Sequence, residues 1–394
     1  MLLAPDKFKG SLTATEVVRH LTAGLRRAVP DIEVRGFPVA DGGDGTLDAA
    51  VSAGFRRIPV DVTGPTGIPV RTAFGYADGV AVVELADACG LRRLPDGVPD
   101  PRHASSHGAG EVIRAALEHG CAEVVLGLGG SASTDGGAGL VGALGVRLLD
   151  ERGAELPPGG AALRHLHRVD LTGLHPAVRR TRFVVAGDVN NPLLGPTGAA
   201  TVYGPQKGAT DDDVAVLEAG LTRWAELAEA AIRAADLPGA TGSAPGLGVS
   251  RWPGSGAAGG VGFAALGFLG ARFRSGIELL LDLLGFPEAL ADADLVVTGE
   301  GSLDAQSLHG KAPVGVATAA ADAGVPTVAV AGQVSVGPDE LRKAGIRAAY
   351  PLTDLEPDPA ACLDRAAELV EKVAETLAAD WLDPSGRDGA LGGG

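Results

Sequence analysis

Cysteine is scarce in this chain: three in 394 residues, at Cys89, Cys121 and Cys362. They lie far apart, are odd in number and show no metal-ligand spacing. That argues against a disulfide framework or a zinc site and predicts ordinary thiols in a reducing compartment. Positive charge is short as well. Lys and Arg total 33 against 49 Asp and Glu, for a net charge of −16 and a pI of about 4.9. Such a surface repels nucleic acid and anionic membranes, so neither is an expected partner. Lysine is the rarer base, present only at positions 7, 9, 207, 311, 343 and 372. Long apolar runs are missing too. The longest uncharged apolar stretch, GAAGGVGFAALGFLGA at 256–271, falls short of the roughly 18–20 residues of a membrane span and reads as a buried, glycine-rich helix. The opening MLLAPDKFKG lacks the basic and apolar regions of a signal peptide, so a cytoplasmic protein is expected. The P-loop pattern G-x-x-x-x-G-K-[ST] is absent, because Ala312 follows Lys311. Histidines form no metal or triad pattern. His107 and His309 stand near motifs and read as structural.

What is abundant is glycine: 60 of 394 residues, about twice the usual share of roughly 7%. The glycines cluster with Asp, Ser and Thr between apolar runs, as tight loops do when they bring backbone N–H groups close to ligands. Apolar residues at 45% and a mean hydropathy of +0.18 give enough material for real cores. The length predicts two domains.

The chain opens with a strand LLAP, a loop DKFKGS and a helix from about Thr13, where Thr13 and Glu16 make a capping-box pattern. Only MLL precedes Ala4, so the first strand is short. A second strand, IEVRGFPVA, ends at DGGDG (41–45). The middle reads as short strands joined by Gly/Pro turns. From about 290, apolar strands and helices alternate strictly (ADLVVTGEG, VGVATAAADAG, PTVAVAGQ), the grammar of a parallel sheet covered on both faces. The two N-terminal strands share that grammar. The expectation is therefore an α/β protein with one doubly wound parallel-sheet domain built from both chain ends (1–60 and 286–381). A second α/β domain (61–285) is inserted between them, and a disordered tail covers 382–394.

Polar residues end the apolar strands: Asp6, Asp41, Glu300, Gln333 and Asp354. Ligands bind at the carboxyl ends of strands in open α/β sheets, so this row is the expected lip of a site. Four segments carry candidate chemistry. DKFKGS and DGGDG gather lysines with acids, which suits phosphate or carboxylate neutralisation and a hard cation such as Mg²⁺. GLGGSASTDGGAG (127–139) suits an anion held by backbone N–H groups. Its Gly127, Gly129 and Ala132, with Asp150 further on, also fit a dinucleotide fingerprint, but STDGG intervenes where a helix should open. A GLGSS-type loop of the galactokinase–mevalonate kinase superfamily is a further, weaker match. GDVNNPLLGPTGAATVYGPQKGA (187–209) offers Asp188, Asn190, Asn191, Gln206 and Lys207, and TGEGSLDAQSLHGKAP (298–313) offers Glu300, Ser302, Asp304, Gln306 and Lys311.

Taken together and in this order, these segments resemble the bacterial glycerate kinase family whose members lack a P-loop, over nearly the whole chain. The resemblance implies a flavodoxin-like domain made of both chain ends and an inserted domain with a restriction-endonuclease-like core. It also implies Mg²⁺-dependent transfer of the ATP γ-phosphoryl group to D-glycerate, giving 2-phosphoglycerate. In that light Lys7, Lys9 and Lys311 neutralise phosphate or the substrate carboxylate, and Asp41, Asp44 and Glu300 hold Mg²⁺. Asp188 accepts the hydroxyl proton. Lys9, Asn190, Asn191, Gln206 and Lys207 bind glycerate. Gly129, Gly130, Ser131, Ser133, Thr134, Asp135 and Gly136, with Gly301 and Ser302, form the phosphate loops. The alternatives are an NAD-dependent hydroxy-acid oxidoreductase using Gly127–Ala132 and Asp150, and a non-catalytic glycerate-binding sensor.

Overall fold

The computed structural model describes residues 1–40, 42–237, 248–308 and 311–382. Asp41, His309 and the expected disordered tail beyond residue 382 lie outside the described residues. The described residues form two compact units, one drawn from the ranges 1–41, 48–53 and 277–394 and the other from 42–47 and 54–276.

The first unit holds a five-stranded sheet in the order Ile346–Pro351, Thr327–Val334, Val296–Leu303, Leu2–Pro5, Arg35–Gly36, with every pairing parallel. Alternation explains why both faces are covered. Leu3 packs with Val17, Leu21 and Leu25 of helix Ala14–Ala28 and with Leu369, Val373 and Leu377 of helix Ala366–Leu382. Its neighbours Leu2 and Ala4 join Phe37, Leu280, Phe286 and Val316 on the opposite face. Helix Ala14–Ala28 starts where its capping box requires, with Thr13 and Glu16 exchanging backbone and side-chain bonds. IEVRGFPVA gives less ladder than its pattern promised. Only Arg35–Gly36 pairs as strand. The Phe37 N–H still reaches Leu3 O at 2.7 Å and the Val39 N–H reaches Pro5 O at 3.0 Å. The closing helix is broken at Arg365 into Pro359–Asp364 and Ala366–Leu382.

The second unit holds a six-stranded mixed sheet in the order Arg272–Arg274, Arg182–Ala186, Glu123–Gly127, Val80–Glu84, Pro69–Ala77, Arg56–Thr63. The first four strands run parallel and the last two join antiparallel. Register sets Glu84 opposite Gly127, Gly127 opposite Ala186, and Ala186 opposite Arg274, so four strands end along one edge. Behind the loops of that edge sits Trp224, fully buried on helix Asp211–Ala234. It stacks on Phe268 at 5.5 Å, meets Phe263 edge-on at 6.0 Å and donates its indole N–H to Gly136 O at 3.0 Å. The stretch 256–271 contains the expected buried helix within Ala257–Phe268, kinked near its start where Ala258, Gly259 and Gly260 take non-helical, left-handed backbone, so the regular turns follow them.

The dinucleotide fingerprint does not survive this topology. The helix after Gly127 begins only at Ala138. Asp150 follows a strand, Arg147–Leu149, that pairs antiparallel with Arg168–Asp170 in a separate two-stranded sheet. Its Oδ1 is taken up by the turn amides of Arg152 and Ala154, both at 2.9 Å.

Candidate functional site

In the first unit the candidate residues collect where the chain order of the strands reverses, at the carboxyl ends of Leu2–Pro5 and Val296–Leu303. Pro5 pairs with Gly299 and the Asp6 N–H donates to Gly299 O at 2.8 Å, which sets Asp6 beside Glu300 in register. The loop that follows is pinned by buried Phe8, whose N–H donates to Leu12 O at 2.8 Å. Lys7 and Lys9 flank that anchor, Lys7 half-buried and Lys9 exposed. The Lys7 ammonium lies 3.8 Å from Asp6 Oδ1. Gly301 lets the loop pass, since a Cβ there would stand 3.0 Å from the Lys9 nitrogen. Ser302 Oγ accepts from Gln333 Nε2 at 3.0 Å. Asp304 folds its own turn, accepting from the N–H groups of Gln306 at 2.8 Å and Ser307 at 3.1 Å. Those bonds, Ser307's first, hold its carboxyl below the ordinary range. Lys311 is the N-cap residue of helix Ala312–Asp322.

In the second unit the stretch Gly42–Leu47 lies on the carboxyl edge of the six-stranded sheet. The contact is backbone on backbone. The Gly129 N–H donates to Gly42 O at 3.3 Å, and a Cβ on Gly127 would stand 2.7 Å from Gly42 O. These glycines therefore serve close packing. Within GLGGSASTDGGAG only Gly129 and Gly130 reach the surface before Gly139, whereas Ser131, Ser133, Thr134, Asp135 and Gly136 are buried. Asp135, 1% exposed, accepts from Ser106 N at 2.8 Å, Ser106 Oγ at 2.9 Å, Gly137 N at 3.1 Å and Gly139 N at 3.2 Å. The hydroxyls of Ser133 and Thr134 have no hydrogen-bond partner among the described residues. Buried, unsatisfied hydroxyls are costly, so this loop carries donors in reserve.

Lys207 was expected at the substrate, and the structure places it behind the loop. It is 2% exposed, and its ammonium donates to Ser131 Oγ at 2.7 Å and Ser133 O at 2.5 Å. Burial pulls its pKa down to about 8, against the opposing pull of Asp135. The other residues of that segment lie farther out. Asp188 and Asn190 are exposed just beyond Ala186, and Gln206 is exposed beside Lys207. Asn191 shapes its own loop, donating to Thr197 O and accepting from the Tyr203 hydroxyl, both at 2.8 Å.

Two further charged groups at this edge went unnoticed in the sequence. Glu84, the last residue of its strand and buried, accepts from Arg92 Nη2 at 2.7 Å, and Arg92 Nη1 lies 3.4 Å from Asp44 Oδ1. The available signal was a carboxylate standing alone in the apolar run VAVVELA.

Among the described residues no three His, Cys, Asp or Glu side chains gather as a metal-binding set. Mg²⁺ is commonly held by one or two carboxylates together with substrate phosphates. Asp6, just past the end of Leu2–Pro5, and Glu300, which follows Pro5's partner Gly299 within Val296–Leu303, fit that requirement. Asp44 faces a guanidinium, and Asp41 lies outside the described residues. A cavity of about 490 Å³ opens elsewhere in the second unit, lined by Thr63–Gly67, His103, His107, Val146 and Leu156. None of the residues singled out from the sequence as site residues lines it. No helix among the described residues is long and apolar enough to cross a membrane.

The model of the Glycerate kinase family matches residues 1–382. The chain is 42% identical over 382 residues to the glycerate kinase of Bacillus subtilis (strain 168), covering 96% of this chain and 97% of that one. It is 40% identical over 354 residues to the glycerate 2-kinase of Escherichia coli (strain K12), covering 89% of each. A crystal structure described as a glycerate kinase 2, from Salmonella typhimurium LT2, aligns with a TM-score of 0.82 at 38% identity over 98% of both chains.

Proposed function

The chain belongs to the glycerate kinase family, and from that premise we propose that it transfers the ATP γ-phosphoryl group to D-glycerate with Mg²⁺, giving 2-phosphoglycerate. The observation that carries the reading is the first unit's cluster at its strand reversal, where Lys7, Lys9 and Glu300 meet the carboxyl ends of adjacent strands. In chain order those strands run 2-1-3-4-5, the flavodoxin-like doubly wound order, whose ligands bind at that reversal. We read the second unit's mixed sheet as the restriction-endonuclease-like core.

Phosphoryl transfer asks a protein for positioning and charge neutralisation more than for covalent chemistry. Lys7, Lys9 and Lys311 supply cations to the phosphates or the glycerate carboxylate, which an acidic chain must provide locally. Gly301 lies against the Lys9 backbone with Ser302 next to it in the strand, and the exposed Gly130 offers its backbone N–H. Ser131, Ser133, Thr134, Asp135, Gly136 and Lys207 hold that second loop from behind. Glu300 with Asp6 would hold Mg²⁺, which supplies neutralising charge to the phosphates when bound. Asp41 and Asp44 remain candidates for the same task. Asp188 accepts the proton of the attacking hydroxyl, and Asn190, Asn191 and Gln206 orient glycerate. The three thiols are free and buried, in keeping with a reducing, cytoplasmic setting.

The test is to incubate the protein with ATP, Mg²⁺ and D-glycerate and add enolase, with or without phosphoglycerate mutase. Signal with enolase alone is expected, because that product is 2-phosphoglycerate. Signal only with the mutase would reverse the orientation of glycerate, and no ADP at all would end the kinase reading.

A further inference from the structure

We propose that Glu84 and Arg92 are positioning residues of the phosphoryl-transfer reaction, holding the 42–47 loop and the Asp44 carboxylate on the carboxyl edge of the second unit's sheet. Part of this rests on the kinase reading, which gives Asp44 its task. Neither Glu84 nor Arg92 is asked to touch substrate.

Glu84 ends the strand Val80–Glu84, whose preceding residues run down the core of the unit, and is 3% exposed. One carboxylate oxygen, Oε2, accepts from the backbone N–H groups of Gly45 and Leu47, both at 3.1 Å. The other, Oε1, accepts from Arg92 Nη2 at 2.7 Å. The same guanidinium turns Nη1 toward Asp44 Oδ1 at 3.4 Å and sets Nη2 3.1 Å from Asp87 Oδ1. Asp87 is fixed in turn by the Thr72 hydroxyl at 2.7 Å and by Arg93. Two lines of contact thus run from the sheet to the loop. One goes from Glu84 into the loop amides, and the other goes from Glu84 through Arg92 to Asp44.

A buried carboxylate is costly unless donors surround it, and an apolar residue would fill the same space at less cost. Here every donor to Glu84 named above belongs to the loop or to the arginine that faces the loop's own carboxylate. That directs the stabilisation toward one task, fixing where Asp44 stands. Backbone packing alone would leave this less determined, since Gly42, Gly43 and Gly45 constrain their own dihedrals weakly.

The experiment is steady-state kinetics of the full-length chain with ATP, Mg²⁺ and D-glycerate, combined with hydrogen exchange. Glu84→Gln keeps the size of the side chain and is expected to lower kcat about tenfold or more, because small misplacements near the chemistry are expensive. Both KM values should stay within about threefold of wild type. In an Asp44→Asn background the same change should cost less than about twofold, since the group it positions is already disabled. Arg92→Met, at a half-exposed site, should give the same pattern and serves if Glu84→Gln fails to fold. Exchange at the Gly45 and Leu47 amides should accelerate in Glu84→Gln while the strands of the second unit keep their protection. A kcat within about twofold of wild type, multiplicative losses in the double variant, or unchanged exchange at residues 45–47 would each overturn the proposal. A wild-type protein that leaves glycerate unphosphorylated would sink the kinase reading, and the exchange arm would still decide whether Glu84 holds the loop.

Discussion

Lys207 shows how a single buried charge can leave a readable trace. Its folded pKa is about 8 against 10.5 for an ordinary lysine, with desolvation the main cause. Between those values the unfolded chain binds a proton that the folded chain has released, so this group makes stability rise with pH across that window. Lys207→Met removes the effect. The stability of wild type minus that of the variant, from urea unfolding between about pH 7.5 and about 9.5, should climb by up to about 1.4 kcal/mol per pH unit. A flat difference would mean that the ammonium is not desolvated. Asp188 is the opposite case, an exposed carboxylate just past a strand end. Asp188→Asn should lose roughly 10²–10⁴-fold in kcat, the usual worth of a general base, with the melting temperature unchanged. Near-wild-type turnover would remove it from that role. The sequence marks both residues by type and neighbourhood. It does not say which way each points: Lys207 and Gln206 are adjacent, yet one is sealed behind a loop and the other faces solvent.

At the scale of elements, periodicity and capping were legible where they are local. Thr13 and Glu16 announce their helix, and the apolar runs of Val296–Leu303 and Thr327–Val334 announce strands. What stayed hidden is contact between distant backbones. Nothing in DGGDG or GLGGS says that Gly42 and Gly129 meet, because glycine carries no side chain to pattern. The same blindness covers Gly301, which reads as a phosphate-loop residue and is also the gap through which Phe8 and Lys9 pass. An added methyl there would crowd the Lys9 nitrogen and push the 6–12 loop off the strand end. Gly301→Ala should therefore lower kcat/KM for ATP about tenfold or more, while the sheet core of the first unit keeps its stability. Unchanged kinetics would show that the loop tolerates the shift, or that Lys7 and Lys9 do not serve the nucleotide.

The whole molecule is organised by where the chain's two ends meet. Leu2–Pro5 is an inner strand, paired on one side with Arg35–Gly36 and on the other with Val296–Leu303. Its Leu3 is buried against Leu369, Val373 and Leu377, more than 350 residues away in sequence. The alternation of strands and helices at both termini made this closure readable. The edges of the inserted part were less so, because the 42–47 stretch is separated in sequence from the unit it packs with. The first unit is closed by strands from both chain ends and the second by strands between Arg56 and Arg274, and this predicts different behaviour when the chain is cut. Residues 42–276 contain the six-stranded sheet, its Trp224-centred core and the loop that sits on its edge. That piece should fold alone, with a cooperative urea transition and the blue-shifted emission of a buried tryptophan. Residues 1–276 should add nothing ordered at their start, because Leu2–Pro5 would lack the strand and helix that bury it. Hydrogen exchange in that piece should find residues 2–28 unprotected and the strands of the second unit protected. If 42–276 unfolds without cooperativity, the inserted unit depends on the first for its stability. If residues 2–28 are protected in the cut chain, the first helix and strand form a folding unit without the carboxyl-terminal strands.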